Sequence, residues 1–160
     1  RLLCHRQSFV ATRAPLEDNA QVLLQYQSGA VGSLWASAVN AGSMHQQKIR
    51  IVGEKASLEW WDEYPNQLRH EVQNLPVRIL ERGMGYLATD DPGVACNRIG
   101  GGHAEGFFES WANLYHRYAL AMHGAAGGLW YPDIDDGIEG VRLLECCVES
   151  ADNDGAWVAF

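Results

Sequence analysis

The spacing of apolar side chains changes along the chain, and this change constrains the fold more than any other feature. In residues 20–27, AQVLLQYQ, alternate side chains share one face, as in a β-strand. From residue 107 onward the large apolar residues recur at steps of four and three, the spacing of a helix, at Phe107, Trp111, Leu114, Tyr118 and Met122. Strands followed by helices predict an α+β domain, with an open, mostly antiparallel β-sheet and helices packed on one face.

The strand-like segments are short and are separated by turn signals. Ser28-Gly29 joins the first two segments as an antiparallel hairpin, and Gly53-Glu54-Lys55 makes a later turn. Leu2 and Leu3 are expected to belong to an element already under way at the start of the chain. We predict a meander of about six strands, formed by AQVLLQYQ, AVGSLWASAV, QKIRIVG, ASLEWW, LRHEV and PVRILE.

The second half is predicted to hold two helices after a long loop at residues 82–103, which is typical of functional or mobile segments. The first helix has an aromatic face that should be buried. The second helix runs from about Ile134 to Ser150 with Asp133 as its N-cap, and a last short strand covers residues 156–160. Its apolar stripe consists of Ile138, Val141, Leu144 and Val148.

Composition excludes several classes of protein. The net charge is −8 and the lysines are Lys48 and Lys55, so nucleic acid and anionic membranes are poor partners. No apolar run approaches the length of a membrane span, so we expect a soluble, cytoplasmic protein. The four cysteines form no CxxC pair and are expected to be free thiols. At 160 residues we expect one domain over residues 1–160.

The segment RIGGGHAEGF, residues 98–107, has three consecutive glycines but not the spacing of a nucleotide-binding loop. A dinucleotide fingerprint needs GxGxxG, and Glu105 would repel a phosphate at this point. A zinc deaminase site is also excluded, because the adjacent Cys146-Cys147 lacks the PCxxC pattern. The helix residues His116 and His123 lie about 10 Å apart at about 1.5 Å per residue, too far to share a metal ion.

His103 is the residue of this segment that best fits a functional role. Its imidazole could bind a substrate hydroxyl or exchange a proton with it near neutral pH, although a helix N-cap or solvent-facing role is equally compatible. Arg98 could offer a fork of donors, or could form a surface ion pair. Glu109 is expected to stabilise the helix start, whereas Glu105 could serve either stability or catalysis.

Four segments, in order, resemble the C-terminal domain of the Gfo/Idh/MocA family of NAD(P)-dependent oxidoreductases. The likeness extends from about Leu16 to Ala151. Its most specific parts are the strand pair ending in GAVGS, the VGEKASLEW turn and strand, and the GHAEGF helix start. The four segments are DNAQVLLQYQSGAVGSLWAS, KIRIVGEKASLEWW, GGHAEGFFESWANLYHRYA and YPDIDDGIEGVRLLECCVESA.

This resemblance implies a fold like the C-terminal domains of dihydrodipicolinate reductase and glyceraldehyde-3-phosphate dehydrogenase. It also implies an N-terminal Rossmann domain that binds NAD or NADP, expected upstream of Arg1, so that no cofactor site is expected in this chain. The family's glycine fingerprint, the lysine of its Glu-Lys-Pro motif and its helix Asp and His are expected there too. The resemblance further implies a homo-oligomer formed through the open sheet face, and a sugar, cyclitol or related polyol as the substrate.

For this chain the resemblance implies a substrate-binding and oligomerisation domain that does not catalyse alone. His103 and Arg98 are expected to face the substrate cleft, and Trp61 and Tyr64 to border it, with no catalytic or metal-binding residue present. Two alternatives stay open. One is an assembly domain without chemistry, and the other is a parent enzyme that isomerises or hydrolyses its substrate through a transient oxidation.

Overall fold

The computed structural model describes residues 1–87, 94–125 and 130–160, apart from the side chain of residue 95. Contacts divide the chain into two compact units, residues 1–42 with 132–160 and residues 43–131. Short 3-10 helices cover Ala11–Arg13 and Val94–Cys96. The strands and helices are β1 Leu2–Gln7, β2 Asn19–Gln25, β3 Val31–Ser37, β4 Lys48–Val52, β5 Ala56–Trp61, β6 Gln67–Val72, β7 Arg78–Glu81, α1 Phe107–Met122 and α2 Ile134–Asp152.

The α+β class and the antiparallel pairing predicted from the sequence are confirmed. All six predicted strands are present, and Leu2 and Leu3 lie in an additional strand, β1. The strands do not form a single meander, however. Hydrogen-bonded pairing runs through β1-β2-β3 and resumes through β4-β5-β6-β7, so that the described strands form two sheets. The segment between β3 and β4 contains Gly42 with a φ of +81°, a conformation that departs from a strand.

The first unit has its core between the β1-β2-β3 sheet and α2. Leu2, Cys4 and Val22 from the sheet meet Cys146 from the helix, with Leu24, Leu143, Cys147 and Val158 packed around them. Burial raises the pKa of the Cys147 thiol to about 11, so this thiol stays protonated at neutral pH. The predicted last strand is reduced to a single bridge between Leu2 and Val158.

The face of α2 that packs against the sheet is not the apolar stripe identified from the sequence. The packed face carries Leu143, Cys146, Cys147 and Ser150, whose mostly small side chains let the helix approach β1 closely. The stripe formed by Ile138, Val141, Leu144 and Val148 is exposed. The predicted cap is confirmed, since Asp133 Oδ1 accepts hydrogen bonds from the amides of Asp135 and Asp136 at 2.9 and 3.2 Å.

The second unit contains the β4-β5-β6-β7 sheet and α1. One sheet face is apolar, as shown by the paired residues Trp60 and Leu68 and by Leu80 beside them. The other face carries ion pairs, including Lys48 with Glu59 at 3.2 Å. The prediction that α1 buries its aromatic face is wrong for this chain, because no residue of α1 is buried. Its rings instead contact one another along the helix, with Phe107 and Trp111 centroids 6.0 Å apart.

Within the described residues, neither helix combines the length and the apolar character that a membrane crossing needs.

Candidate functional site

The glycine-rich loop before α1 is held in place by the carboxylate of Glu105. Its Oε1 accepts hydrogen bonds from the backbone amides of Arg98 at 2.7 Å and Ile99 at 2.6 Å. The same oxygen lies 3.2 Å from Nη1 of Arg82, and the Glu105 side chain is only 7% exposed. A carboxylate of the chain itself therefore occupies the amide cradle that a bound phosphate would require, and the loop does not fit a dinucleotide.

Arg82, directly after β7, connects separate parts of this loop. Its Nε donates to Asn66 Oδ1 at 2.8 Å, its Nη1 donates to the carbonyl of Ile99 at 3.0 Å, and its Nη2 donates to the carbonyl of His103 at 2.6 Å. The side chain is 17% exposed. A single planar guanidinium thus binds the loop at both Ile99 and His103, as its fork of donors allows.

Asn66 ties the loop to the turn between β5 and β6. Its side-chain amide donates to the carbonyl of Glu105 at 2.9 Å, and its side-chain oxygen accepts from the backbone amide of Glu105 at 3.1 Å. We refer to Asn66, Arg82 and Glu105 together as the loop brace. These residues come from three separate segments of the chain and meet directly before the first residue of α1.

Two glycines allow the loop to lie against the turn after β7. Gly83 has a φ of +73°, and a Cβ built on it would lie 2.9 Å from the amide nitrogen of Gly101. A Cβ on Gly101 would likewise lie 3.0 Å from the carbonyl oxygen of Gly83. The two backbones approach too closely for any side chain at these positions, so the glycines are needed for packing as well as for turning.

His103 lies at the end of the braced loop with its side chain exposed. Its carbonyl is held by Arg82, whereas the one hydrogen bond of its ring to other described residues is long, from Nδ1 to the carbonyl of Gly100 at 3.3 Å. The backbone is therefore fixed while the imidazole remains accessible. Arg98 is exposed and its Nε donates to Asn113 Oδ1 of α1 at 3.0 Å, so its main contact is with an amide group.

Trp61 and Tyr64, the other two predicted site residues, contact each other with ring centroids 5.0 Å apart. Lys48 Nζ lies 5.5 Å from the centroid of the Trp61 ring. Tyr64 lines a cavity of about 600 Å³, together with Ala104 and the first residues of α1. Of the four predicted residues, Tyr64 alone is among the described residues that line this cavity.

The glutamates of this segment stabilise the structure. Glu109 Oε2 accepts a hydrogen bond from the backbone amide of Gly106 at 2.8 Å, and this bond is the main cause that lowers the pKa of Glu109. The expected stabilisation of the helix start is confirmed. Glu105, for which the sequence left two roles open, holds the loop. Among the described residues, no group of three or more His, Cys, Asp or Glu side chains could hold a metal ion.

Sequence reasoning missed Arg82 and Asn66. Arg82 follows the predicted strand PVRILE, and Asn66 lies between the predicted strands ASLEWW and LRHEV, where polar residues are common in any connection. One sequence feature that points to Arg82 is the Arg-Gly pair that opens the long loop. A glycine at a strand end lets another backbone segment approach closely, and the neighbouring arginine can then bind the carbonyls of that segment. The pattern contains nothing that links residue 66 to residue 105.

These observations define an α+β domain that presents an accessible histidine on a preformed loop. Residues 3–160 match the model of the Gfo/Idh/MocA oxidoreductase family, C-terminal alpha/beta domain. The chain therefore belongs to this family, and the resemblance drawn from the sequence is confirmed.

Similar proteins of known structure share the same fold. An oxidoreductase from Pseudomonas syringae is 61% identical over 99% of this chain and 45% of its own chain, with a TM-score of 0.94. An inositol dehydrogenase homolog from Azotobacter vinelandii, complexed with NADH and myo-inositol, is 59% identical over 99% of this chain and 43% of its own, with a TM-score of 0.93. The uncharacterised oxidoreductase YfiI of Bacillus subtilis is 53% identical, and the chain spans 42% of its length. The chain therefore spans less than half the length of these relatives.

Proposed function

We propose that this chain is the substrate-binding and oligomerisation domain of an NAD(P)-dependent oxidoreductase that oxidises a cyclitol, sugar or related polyol by hydride transfer. The observation that carries the proposal is the 59% identity, over 99% of this chain, with an inositol dehydrogenase homolog complexed with NADH and myo-inositol. A cyclitol is the substrate class that this relative favours.

The dinucleotide would bind in an N-terminal Rossmann domain of the full-length protein. Support for this assignment comes from the loop at residues 98–105, where the amides of Arg98 and Ile99 are already bonded to Glu105. When bound, the nicotinamide supplies the acceptor for the hydride that leaves the carbinol carbon. The proton of the hydroxyl group on that carbon passes to a base that belongs to another part of the full-length protein. The residues of this chain bind and orient the substrate.

The side chains proposed to contact the polyol suit its chemistry. The imidazole of His103 can both donate and accept hydrogen bonds, which matches a hydroxyl group. Arg98 adds guanidinium donors beyond the Nε that binds Asn113. The rings of Trp61 and Tyr64 offer apolar faces to the C–H groups of a sugar or cyclitol ring. A few placed polar groups beside apolar walls are the usual composition of a small-molecule site.

The test is steady-state oxidation of myo-inositol and of related sugars by the full-length protein, followed by the absorbance of NADH. We expect His103→Ala to raise KM for the polyol about tenfold, as the loss of one good hydrogen bond would, with an unchanged Kd for NADH. His116→Ala, which changes an exposed histidine of α1, is the matched control. An unchanged KM in the His103 variant would refute the proposed site.

A second candidate function, assembly without chemistry, is favoured by the exposed face of the β1-β2-β3 sheet. Leu23, Val31 and Trp35 share that face and are 49%, 79% and 63% exposed. We propose that a second copy of the protein covers this face, as apolar patches of this kind usually have partners. If the full-length protein forms oligomers but does not oxidise any polyol, the assembly role is favoured.

A parent enzyme that isomerises or hydrolyses its substrate is distinguished in the same assay. Conversion of the substrate without net formation of NADH would indicate isomerisation or hydrolysis through a transient oxidation.

A further inference from the structure

We propose that Arg82 is a positioning residue, which sets the place of His103 for polyol binding without touching the substrate. The proposal rests on the function proposed above, in which His103 contacts the polyol. Its basis is the contact between the guanidinium of Arg82 and the backbone of His103, which at 2.6 Å is the shortest hydrogen bond that Arg82 makes in the described structure.

The loop needs such a residue because its own sequence does not hold one shape. Gly100, Gly101 and Gly102 precede His103, and Gly102 has a φ of +84°. Glycine populates many backbone conformations, so three in a row would let the histidine explore a wide volume. Among the described residues, the imidazole itself adds only the 3.3 Å contact to the carbonyl of Gly100. The position of the ring therefore depends on the backbone that carries it.

The loop brace supplies this constraint through the buried Glu105 and the half-buried Arg82 and Asn66. Arg82 holds the carbonyls of Ile99 and His103, one on each side of the three glycines. Glu105 holds the amide of Ile99 and pairs with Arg82, and their side chains are 7% and 17% exposed. Charges so far removed from water interact strongly, and the removal of either one leaves the other unpaired.

The shape of the arginine side chain matters as well as its charge. Nε faces Asn66 while Nη2 faces His103, so the donors lie at opposite ends of one plane. A lysine ammonium concentrates its donors at one point and cannot reach both acceptors. A lysine at this position would keep a positive charge near Glu105 but release the carbonyl of His103.

The experiment compares Arg82→Lys with His103→Ala in the full-length protein. We expect Arg82→Lys to raise KM for myo-inositol about tenfold, with kcat within about twofold of wild type and an unchanged Kd for NADH. Amide hydrogen exchange at residues 98–103 should accelerate. Arg78→Lys, which changes an exposed arginine at the start of β7, should leave all four quantities unchanged.

A second variant, Glu105→Gln, decides the question if Arg82→Lys is not recovered as folded protein. It keeps an oxygen for the amides of Arg98 and Ile99 but removes the charge, so we expect KM to rise about threefold and exchange at these amides to accelerate. If KM is unchanged in Arg82→Lys, or in Glu105→Gln where that variant replaces it, while KM is raised in His103→Ala, the positioning role alone is overturned. A brace variant that raises KM, lowers kcat and weakens NADH binding to the same extent would indicate general destabilisation and would also overturn that role. An unchanged KM in His103→Ala would refute the proposed function instead.

Discussion

Replacement of Ser150 by alanine is expected to destabilise the first unit strongly although it removes a single oxygen atom. Ser150 is 0% exposed. Its hydroxyl accepts a hydrogen bond from the amide of Cys4 in β1 at 2.8 Å and donates one to the carbonyl of Ala156 at 2.7 Å. Alanine leaves the buried amide of Cys4 without its partner, and also the carbonyl of Ala156, a residue that is itself exposed. At about 1–3 kcal/mol for the buried amide, and less for a carbonyl that water can reach, the expected loss is about 2–3 kcal/mol.

The assay is urea unfolding of the purified chain, followed by circular dichroism and tryptophan fluorescence. The change in free energy of unfolding follows from the shift in midpoint if the m-value is unchanged. Ser110→Ala is the control, because Ser110 is exposed and its hydroxyl donates to the carbonyl of Gly106, directly before α1. We expect less than about 0.5 kcal/mol there. A similarly small loss in Ser150→Ala, with unaltered hydrogen exchange at the amide of Cys4, would refute the reasoning.

Two further predictions concern the glycine contact and an acidic residue. Gly83→Ala should lower stability by about 1–2 kcal/mol in a thermal melt, since it adds a Cβ 2.9 Å from Gly101 at a positive φ, whereas Gly85→Ala, with open space around it, should not. The pKa of Asp18 is lowered, first by the hydrogen bond from the amide of Phe9. Its stabilising effect should therefore be fully present above an ordinary pKa of about 3.9 and be lost as pH falls through the lower folded value. Asp18→Asn should flatten the acid side of a plot of stability against pH, and an unaltered slope would contradict this assignment.

The local elements could be predicted from the sequence because each depends on neighbouring residues. The alternation in AQVLLQYQ corresponds to β2, and Asp133 caps α2 by accepting hydrogen bonds from the amides of Asp135 and Asp136. Such features need only a period or a spacing to be recognised. The order of these local patterns, strands first and helices later, predicted the α+β class, and the family resemblance then indicated which α+β fold the domain has.

The surfaces that the helices bury could not be predicted in the same way. An amphipathic pattern shows that a helix has an apolar face, but it does not identify the partner of that face. In α2 the sheet contacts Leu143 and Cys146, while Ile138 and Val141 are exposed. The helix carries two apolar faces, and the sequence does not rank them. The small side chains of Cys146 and Ser150 allow closer packing on β1 than the larger side chains of the exposed stripe would.

The candidate site required the tertiary structure for a related reason. Asn66 and Glu105 are 39 positions apart, and the hydrogen bonds between them have no counterpart in any periodic pattern. The glycines of the loop suggested mobility when read alone, because a glycine gains freedom in the unfolded chain and in loops. The close approach of Gly83 and Gly101 reverses that interpretation at this position, since the absence of side chains is what lets the two backbones dock.

The same arrangement separates the stability of the loop from its specificity. Arg82, Asn66 and Glu105 all bond to the backbone of the loop, whereas the imidazole of His103 contacts, within the described part of the chain, the carbonyl of Gly100 alone. A change of the residue at position 103 would therefore alter what the loop offers to a ligand without disturbing what holds the loop in place. A change in the brace would have the opposite effect, because it would displace whatever residue stands at position 103. Relatives that keep the brace and differ at position 103 should share the loop conformation and differ in the hydroxyl pattern of the polyols they bind.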